Sequence, residues 1–249
     1  MNPAFLIFAN TVLLTRLFVL FKDDGVTARP WVLKTVVELA VLLGFYQFSQ
    51  GGCAAAIIVV AANLMGWRWE TRARRRKNLG RLLIGMGELF CLSFFFSPAM
   101  AVSLRAGLGD VIRFFHDFSA LAPLADMGDA KFQLELMGLL LAGNEANLVI
   151  RAVFDLLELK PRALPSGQGA IDVGEFNRGR VIGLLERVLL YWFILHVQFG
   201  AIGFILAAKA FTRFKALDDR AFAEYVLIGT LLSACLAMVS GGLVQWLLH

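Results

Sequence analysis

Three groups of polar side chains sit inside stretches that are otherwise apolar. The first is Asn144, Glu145, Asn147 and Arg151; the second is Glu186, Arg187, Tyr191, His196 and Gln198; the third is Lys209 with Glu224, Tyr225 and Thr230. A charge placed in hydrocarbon costs about 2.5–3.5 kcal/mol on insertion scales, so such residues persist only where they pair, meet water or carry a function. At 100° per residue, Asn144, Asn147, Arg151, Asp155 and Glu158 fall within one stripe about 80° wide, which must turn towards other helices, a wet cavity or the headgroup zone. Two chemistries fit these residue types. Arg151 or Arg187 suits an anionic group or a lipid phosphate, and Glu145 or Glu186 suits a proton or a cation. The candidate site is therefore Asn144, Glu145, Asn147, Arg151, Glu186, Arg187, Lys209 and Glu224, in a polar pocket between the fifth, sixth and seventh apolar segments. Interhelical salt bridges and hydrogen bonds near the membrane interface are the structural alternative, and the residue types alone leave both open.

Catalytic signatures are missing. The sequence has no G-x-S-x-G, no H-E-x-x-H and no phosphate-binding loop. Its three histidines, His116, His196 and His249, lack metal-site spacing, as do Cys53, Cys91 and Cys235, which all lie in apolar stretches. No metal and no cofactor are expected, and an enzymatic activity is left open without a signature to support it.

The elements that must position these side chains follow from the solvent the chain needs. Hydrophobic residues make up 59% of the sequence and charged ones 17%, against about 25% in a typical soluble domain. With mean hydropathy at +0.71, lipid is the better medium. The expected fold is all-α: a polytopic transmembrane helical bundle of six or seven segments forming one integral membrane domain over 1–249. The segments are 3–21, 31–48, 53–67, 82–102, 132–159, 181–208 and 222–248. An interfacial amphipathic helix is expected over 107–122, where apolar residues recur at helical spacing around Asp110, Arg113, His116 and Asp117. The first segment carries Arg16 and is followed by no clean small-x-small site, so it reads as a retained helix. Ser49-Gln50-Gly51-Gly52 reads as a turn, Lys34 and Glu38 as an i,i+4 pair at the interface, and Glu88 as either an interfacial or a buried carboxylate.

Orientation comes from the basic run Arg68-Trp69-Glu70-Thr71-Arg72-Ala73-Arg74-Arg75-Arg76-Lys77, followed by Arg81. Such a cluster stays cytoplasmic, which makes 68–81 and 160–180 cytoplasmic loops and reads the net charge of +5 as topology, with no nucleic acid as partner. One conflict remains. If segment six crosses fully, the basic stretch Lys209 to Arg220 lies outside. Seven full crossings, the first choice, leave that conflict standing; a re-entrant segment six, broken at Gly200 and Gly203, removes it, and a segment five that does not cross instead puts Arg178, Arg180 and Arg187 outside.

The blocks Asn177-Arg178-Gly179-Arg180, Ile182-Gly183, Leu185-Glu186-Arg187, Ala207-Ala208-Lys209, Arg213-Phe214-Lys215 and Phe222-Ala223-Glu224-Tyr225-Val226-Leu227-Ile228-Gly229-Thr230-Leu231-Leu232-Ser233 resemble a family of uncharacterised bacterial multi-pass inner-membrane proteins. Gly143-Asn144-Glu145-Ala146-Asn147 through Arg151 fits the same pattern. The resemblance covers about a third of the chain. It implies a bacterial inner-membrane location and no particular substrate. The functional expectation is a small transporter or ion-conducting protein. The alternatives are a non-catalytic scaffold or partner-binding subunit of a membrane complex and a lipid-binding or lipid-modifying protein. Membrane lipids, and a homo-oligomer or membrane-protein partner, are the expected partners.

Overall fold

Turned outward on these helices are the side chains that a water-soluble protein would hide. The computed structural model describes residues 2–20, 27–47, 49–73, 76–97, 100, 102–105, 107, 128–158, 173–212 and 220–249. Among them the fold is helical throughout, apart from one antiparallel bridge between Tyr46 and Leu104. The helices are α1 (Pro3–Thr15), α2 (Leu17–Leu20), α3 (Ala28–Phe45), α4 (Gln50–Arg72), α5 (Lys77–Phe95) and α6 (Ala130–Leu140). A π-helical turn, Leu141–Glu145, leads into α7 (Ala146–Leu156), followed by α8 (Val173–Leu195), α9 (Phe199–Thr212) and α10 (Arg220–Leu248). Two compact units emerge, Met1–Leu140 and Leu141–His249.

In the first unit, α3 buries Trp31, Lys34, Glu38 and Leu42 at helical spacing and exposes Val32, Leu33, Val36 and Leu43. Lys34 is 1% exposed and Glu38 0%, while Phe90 on α5 is 78% exposed. The inward faces of α4 and α5 follow the same rule: Gly51, Ala55, Ala62, Asn63, Gly66 and Glu70 on one, Gly80, Arg81, Gly85 and Glu88 on the other. Apart from Val59 and Leu92, the inward faces of α4 and α5 are small or polar, while Ile57, Leu64, Met65, Leu83, Phe90 and Phe94 face out. In water this arrangement would leave an apolar exterior unburied. In lipid it is the stable one, because hydrocarbon welcomes the exterior and the polar groups satisfy one another inside.

Glycines let these helices approach. A Cβ on Gly66 would stand 2.4 Å from the Trp31 ring, one on Gly80 1.9 Å from Trp69 Nε1, and one on Gly85 1.7 Å from Arg16 Nη1. Each thus admits a large side chain of a neighbouring helix against bare backbone. Gly51 meets the Met100 carbonyl in the same way at 2.7 Å. The expected turn at 49–52 is accordingly a helix start, with Ser49 as N-cap accepting from Gly52 N at 3.1 Å. At the opposite end of the unit from Arg16, Phe8, Tyr46 and Phe96 form an aromatic cluster, and the Tyr46 hydroxyl donates to the Ala4 carbonyl at 2.8 Å.

Four helices are long and apolar enough to cross a membrane: Gln50–Arg72, Lys77–Phe95, Ala130–Leu156 and Ala223–Leu248. By length and composition, fewer helices qualify than the six or seven segments expected. α3 misses because it carries Arg29, Lys34 and Glu38, Pro3–Val19 because it is short, and segment six because it is not one helix. That segment divides into α8 and α9 at His196–Gln198, and Gly200 and Gly203 lie inside α9 instead of at the break. Val197 takes a left-handed φ of 56°. Gln198 N donates to the Phe193 carbonyl at 2.8 Å and Val197 N to the Ile194 carbonyl at 3.0 Å, the pattern of a Schellman stop with valine at the position glycine normally fills. Gln245 Nε2 on α10 gives the Ile194 carbonyl a second donor at 2.8 Å and also reaches the Leu195 carbonyl, at the end of the helix, at 3.2 Å. Leu190, Ile194, Ile202, Ala234 and Ala237 form the core of this second unit. Gly241 lets Ile194 approach and Gly229 lets Phe154 approach.

The expected basic loop 68–81 is mostly helix, since α4 continues to Arg72 and α5 begins at Lys77. Of the expected loop 160–180, residues 173–180 already belong to α8. Residues 160–172 of that loop, and 108–122 of the expected amphipathic helix, lie outside the described residues.

Candidate functional site

The densest polar constellation lies in the first unit, built from residues one and two turns apart on four helices. Arg16, just beyond α1, with Lys34, Glu38, Glu70, Arg81 and Glu88 are all buried, making three cations and three carboxylates within one bundle. Lys34 is the hub. Its Nζ lies 2.7 Å from Glu38 Oε1 and donates to Asn63 Oδ1 at 2.6 Å and to the Glu88 carboxylate at 3.2 Å. Asn63 Nδ2 donates in turn to Glu38 Oε2 at 2.7 Å, and the Thr15 hydroxyl donates to Glu38 Oε1 at 2.5 Å. Thus α1, α3, α4 and α5 each contribute a member, and the ammonium is shared between carboxylates of two different helices.

A second knot adjoins the first. Arg81 grips Glu70 with both prongs, Nε to Oε2 at 3.0 Å and Nη2 to Oε1 at 2.7 Å, the bidentate geometry only arginine supplies. Arg16 Nη2 donates to the Arg81 carbonyl at 3.1 Å, and its guanidinium lies flat against Gly85. Between the two knots is a cavity of about 10 Å³ whose wall includes Arg16, Trp31, Lys34, Arg81 and Glu88. That is about the room one water needs. The Trp31 Nε1–H is a buried donor with no protein partner among the described residues. Chemically, the arrangement can hold a proton or a small cation among carboxylates, and it can exchange one partner of Lys34 without stranding the ammonium.

The site anticipated from the sequence lies in the second unit and divides into parts. Asn144 and Glu145 are buried within the π turn, and Asn147 and Arg151 are half-buried on α7. Arg187 is 4% exposed and reaches that turn: its Nε donates to the Ala142 carbonyl at 2.9 Å, Nη2 to the Gly143 carbonyl at 3.4 Å, and Nη1 to Ser233 Oγ at 3.3 Å. A π turn interrupts the normal i→i−4 ladder, and here a guanidinium takes up the carbonyls. Glu186 and Lys209 form a half-buried ion pair joining α8 to α9. Glu224 is exposed, while Tyr225 packs against Phe154 with centroids 4.7 Å apart and the rings tilted by 44°. His196 and Gln198 sit exposed at the α8–α9 break, the histidine ring 4.3 Å from that of Trp192. The structure thus joins Arg187 to the Asn144–Glu145 turn and Glu186 to Lys209.

The residues missed by sequence reasoning are Thr15, Arg16, Lys34, Glu38, Asn63, Glu70, Arg81 and Glu88 acting together. One signal was present: Trp31, Lys34, Glu38 and Leu42 recur on one helical face, opposite an unbroken Val/Leu face. Among the described residues no group of three or more His, Cys, Asp or Glu could hold a metal ion. No family model matches the sequence, and neither a curated protein nor a solved structure is similar to it.

Proposed function

We propose that this chain is a small transporter or ion-conducting protein that works on protons or a small cation at the Glu38–Lys34–Glu88 cluster. The observation that carries this reading is the sharing of one buried ammonium between carboxylates on α3 and α5, beside a water-sized cavity. Intramembrane ionisable residues at such a junction mark ion and proton pathways. A proton arriving on Glu88 removes its charge and releases α5 from Lys34. Glu38 and Asn63 keep the ammonium satisfied meanwhile, so the step leaves no bare buried charge. The site therefore moves from the second unit, where the polar sequence pattern first drew it, to the first.

The topology that fits is six crossings in a bacterial inner membrane. The four long apolar helices are joined by α1 and by α3, whose charges turn inward, and α8–α9 forms a re-entrant hairpin. α9 supports this, since 14 residues at 1.5 Å each reach only about 21 Å of a hydrocarbon core about 30 Å thick. The Glu186–Lys209 pair ties the two arms of the hairpin together. The basic stretch Lys209 to Arg220 then shares the cytoplasmic side with Arg178 and Arg180, and the resemblance of the C-terminal blocks to bacterial inner-membrane proteins agrees.

The experiment is flux in proteoliposomes, read with an internal pH-sensitive dye under an imposed potential and with each alkali cation in turn. Wild type is expected to dissipate a proton or cation gradient, and Glu88→Gln to abolish this while remaining folded in the bilayer. Equal flux through wild type and Glu88→Gln would remove the cluster from the pathway. A second reading, a non-catalytic scaffold subunit, is favoured by the balance of three buried cations against three buried carboxylates. Wild type that conducts nothing and copurifies with a stable membrane partner would select it.

A further inference from the structure

The α4–α5 corner carries a surface that the buried network does not use. The outward face of α4 presents Ala61, Leu64 and Met65, and one turn further on Arg68, Trp69 and Arg72; Arg76 closes the corner from the start of α5. Together they line an open groove of about 790 Å³, within the range of about 300–1,000 Å³ typical of ligand clefts. Its lower wall is apolar and its rim holds three guanidinium groups. Arg68 and Arg72 lie four residues apart on α4 and so share one edge of it. The nearest acid cannot neutralise them. Glu70 points to the opposite face and is consumed by Arg81 at 2.7 Å, with Lys77 at 4.0 Å. No carboxylate among the described residues pairs with Arg68, Arg72 or Arg76. Trp69 lies against the bare backbone of Gly80 and forms part of the groove wall. Arg76 holds a left-handed φ of 59°, which turns the chain so that its side chain joins the rim from a different helix.

We infer that this groove binds an anionic phospholipid, with the phosphate held by Arg68, Arg72 and Arg76 and an acyl chain laid along Ala61, Leu64 and Met65. Charge and apolarity are graded along α4 in the order a lipid presents them: hydrocarbon first, then the aromatic Trp69 at the interface, then phosphate. A zwitterionic lipid brings an ammonium that three arginines repel, so the site discriminates by net headgroup charge. Guanidinium groups hold phosphate oxygens by paired N–H donors, which adds geometry to charge. The inference depends on α4 lying in a membrane and not on ion transport, so its failure and the failure of the flux experiment are separate results.

The test uses the full chain in bilayers of phosphatidylcholine doped with brominated phosphatidylglycerol or brominated phosphatidylcholine, reading quenching of tryptophan fluorescence. Wild type is expected to favour the anionic lipid by about tenfold at low ionic strength, with the preference shrinking at high salt. The triple variant Arg68→Ala, Arg72→Ala, Arg76→Ala should lose the preference, and the corresponding triple Lys variant should keep most of it. Both substitute exposed side chains, and unchanged helicity verifies that the fold is intact. Inorganic phosphate in the buffer should not displace the lipid. Equal quenching by the two brominated lipids in wild type, a preference that survives the triple Ala variant, or full competition by inorganic phosphate would each overturn the assignment.

Discussion

Lys34→Met is expected to destabilise the protein by about 3–5 kcal/mol, among the largest losses available to a single substitution in this fold. The methionine fills the space of the lysine stem, so packing is largely conserved. What is lost is the positive charge between Glu38, 2.7 Å away, and Glu88, 3.2 Å away. Two buried carboxylates then face each other with Asn63 and Thr15 as the remaining donors to Glu38. The cost is mainly that of uncompensated buried charge, and this gives a sharp secondary expectation. Adding Glu88→Gln to Lys34→Met leaves two cations and two carboxylates and should recover a large part of the loss, although it removes a second native side chain. Reversible unfolding in mixed micelles measures both. A single variant within about 1 kcal/mol of wild type, or a double variant worse than the single, would show that the network does not act as a charge-balanced unit.

The second large effect lies at Arg187. Replacing it with Met leaves the carbonyls of Ala142 and Gly143 in the π turn, and the Ser233 hydroxyl, without the donors they now have. Unsatisfied buried acceptors cost about 1–3 kcal/mol each, so a total of about 3–5 kcal/mol is expected. Hydrogen exchange should rise at residues 141–145 well before it rises in α10. Arg187→Lys keeps the charge but replaces a planar fork with a single ammonium, and one ammonium reaches the three partners poorly. The lysine variant is expected to recover less than half of the loss. Full recovery by lysine would mean that charge alone holds the turn.

Particular residues mark what was readable in advance. The helical class and the apolar exterior followed from composition and from runs such as Ile57-Ile58-Val59-Val60 and Leu82-Leu83-Ile84, because lipid selects for mean apolarity and that survives in any window of sequence. Crossing number was less legible for a physical reason. Hydropathy charges Lys34 and Glu38 their full penalty, whereas in the fold Lys34 is met by Glu38, Asn63 and Glu88, and Glu38 by Lys34, Asn63 and Thr15. Partners 25 and 54 positions apart leave no local trace. Arg16 illustrates the same limit. Alone it reads as a residue reaching for headgroups, but the missing Cβ of Gly85 gives it a place against α5. In the second unit the sequence groups the polar positions into one pocket, and of that grouping Arg187 does meet the turn holding Asn144 and Glu145. The turn itself was invisible, since Leu141-Ala142-Gly143-Asn144-Glu145 carries no pattern that separates a π from an α turn. The break at His196–Gln198 was expected at Gly200 and Gly203 because glycine marks flexible backbone, yet the left-handed residue is Val197.

Cys235 offers the most direct measurement of the claim that the outward apolar faces of this protein meet lipid. It is exposed on the structure and lies near the middle of α10, roughly 20 Å from either end at 1.5 Å per residue. With Cys53→Ser and Cys91→Ser in place it is the single thiol, and a water-soluble maleimide can be applied to both sides of permeabilised membranes. If hydrocarbon covers that face, labelling is negligible in membranes and rapid only after denaturation. Labelling of Cys235 in intact bilayers at the rate of the denatured chain would put water where the account requires lipid.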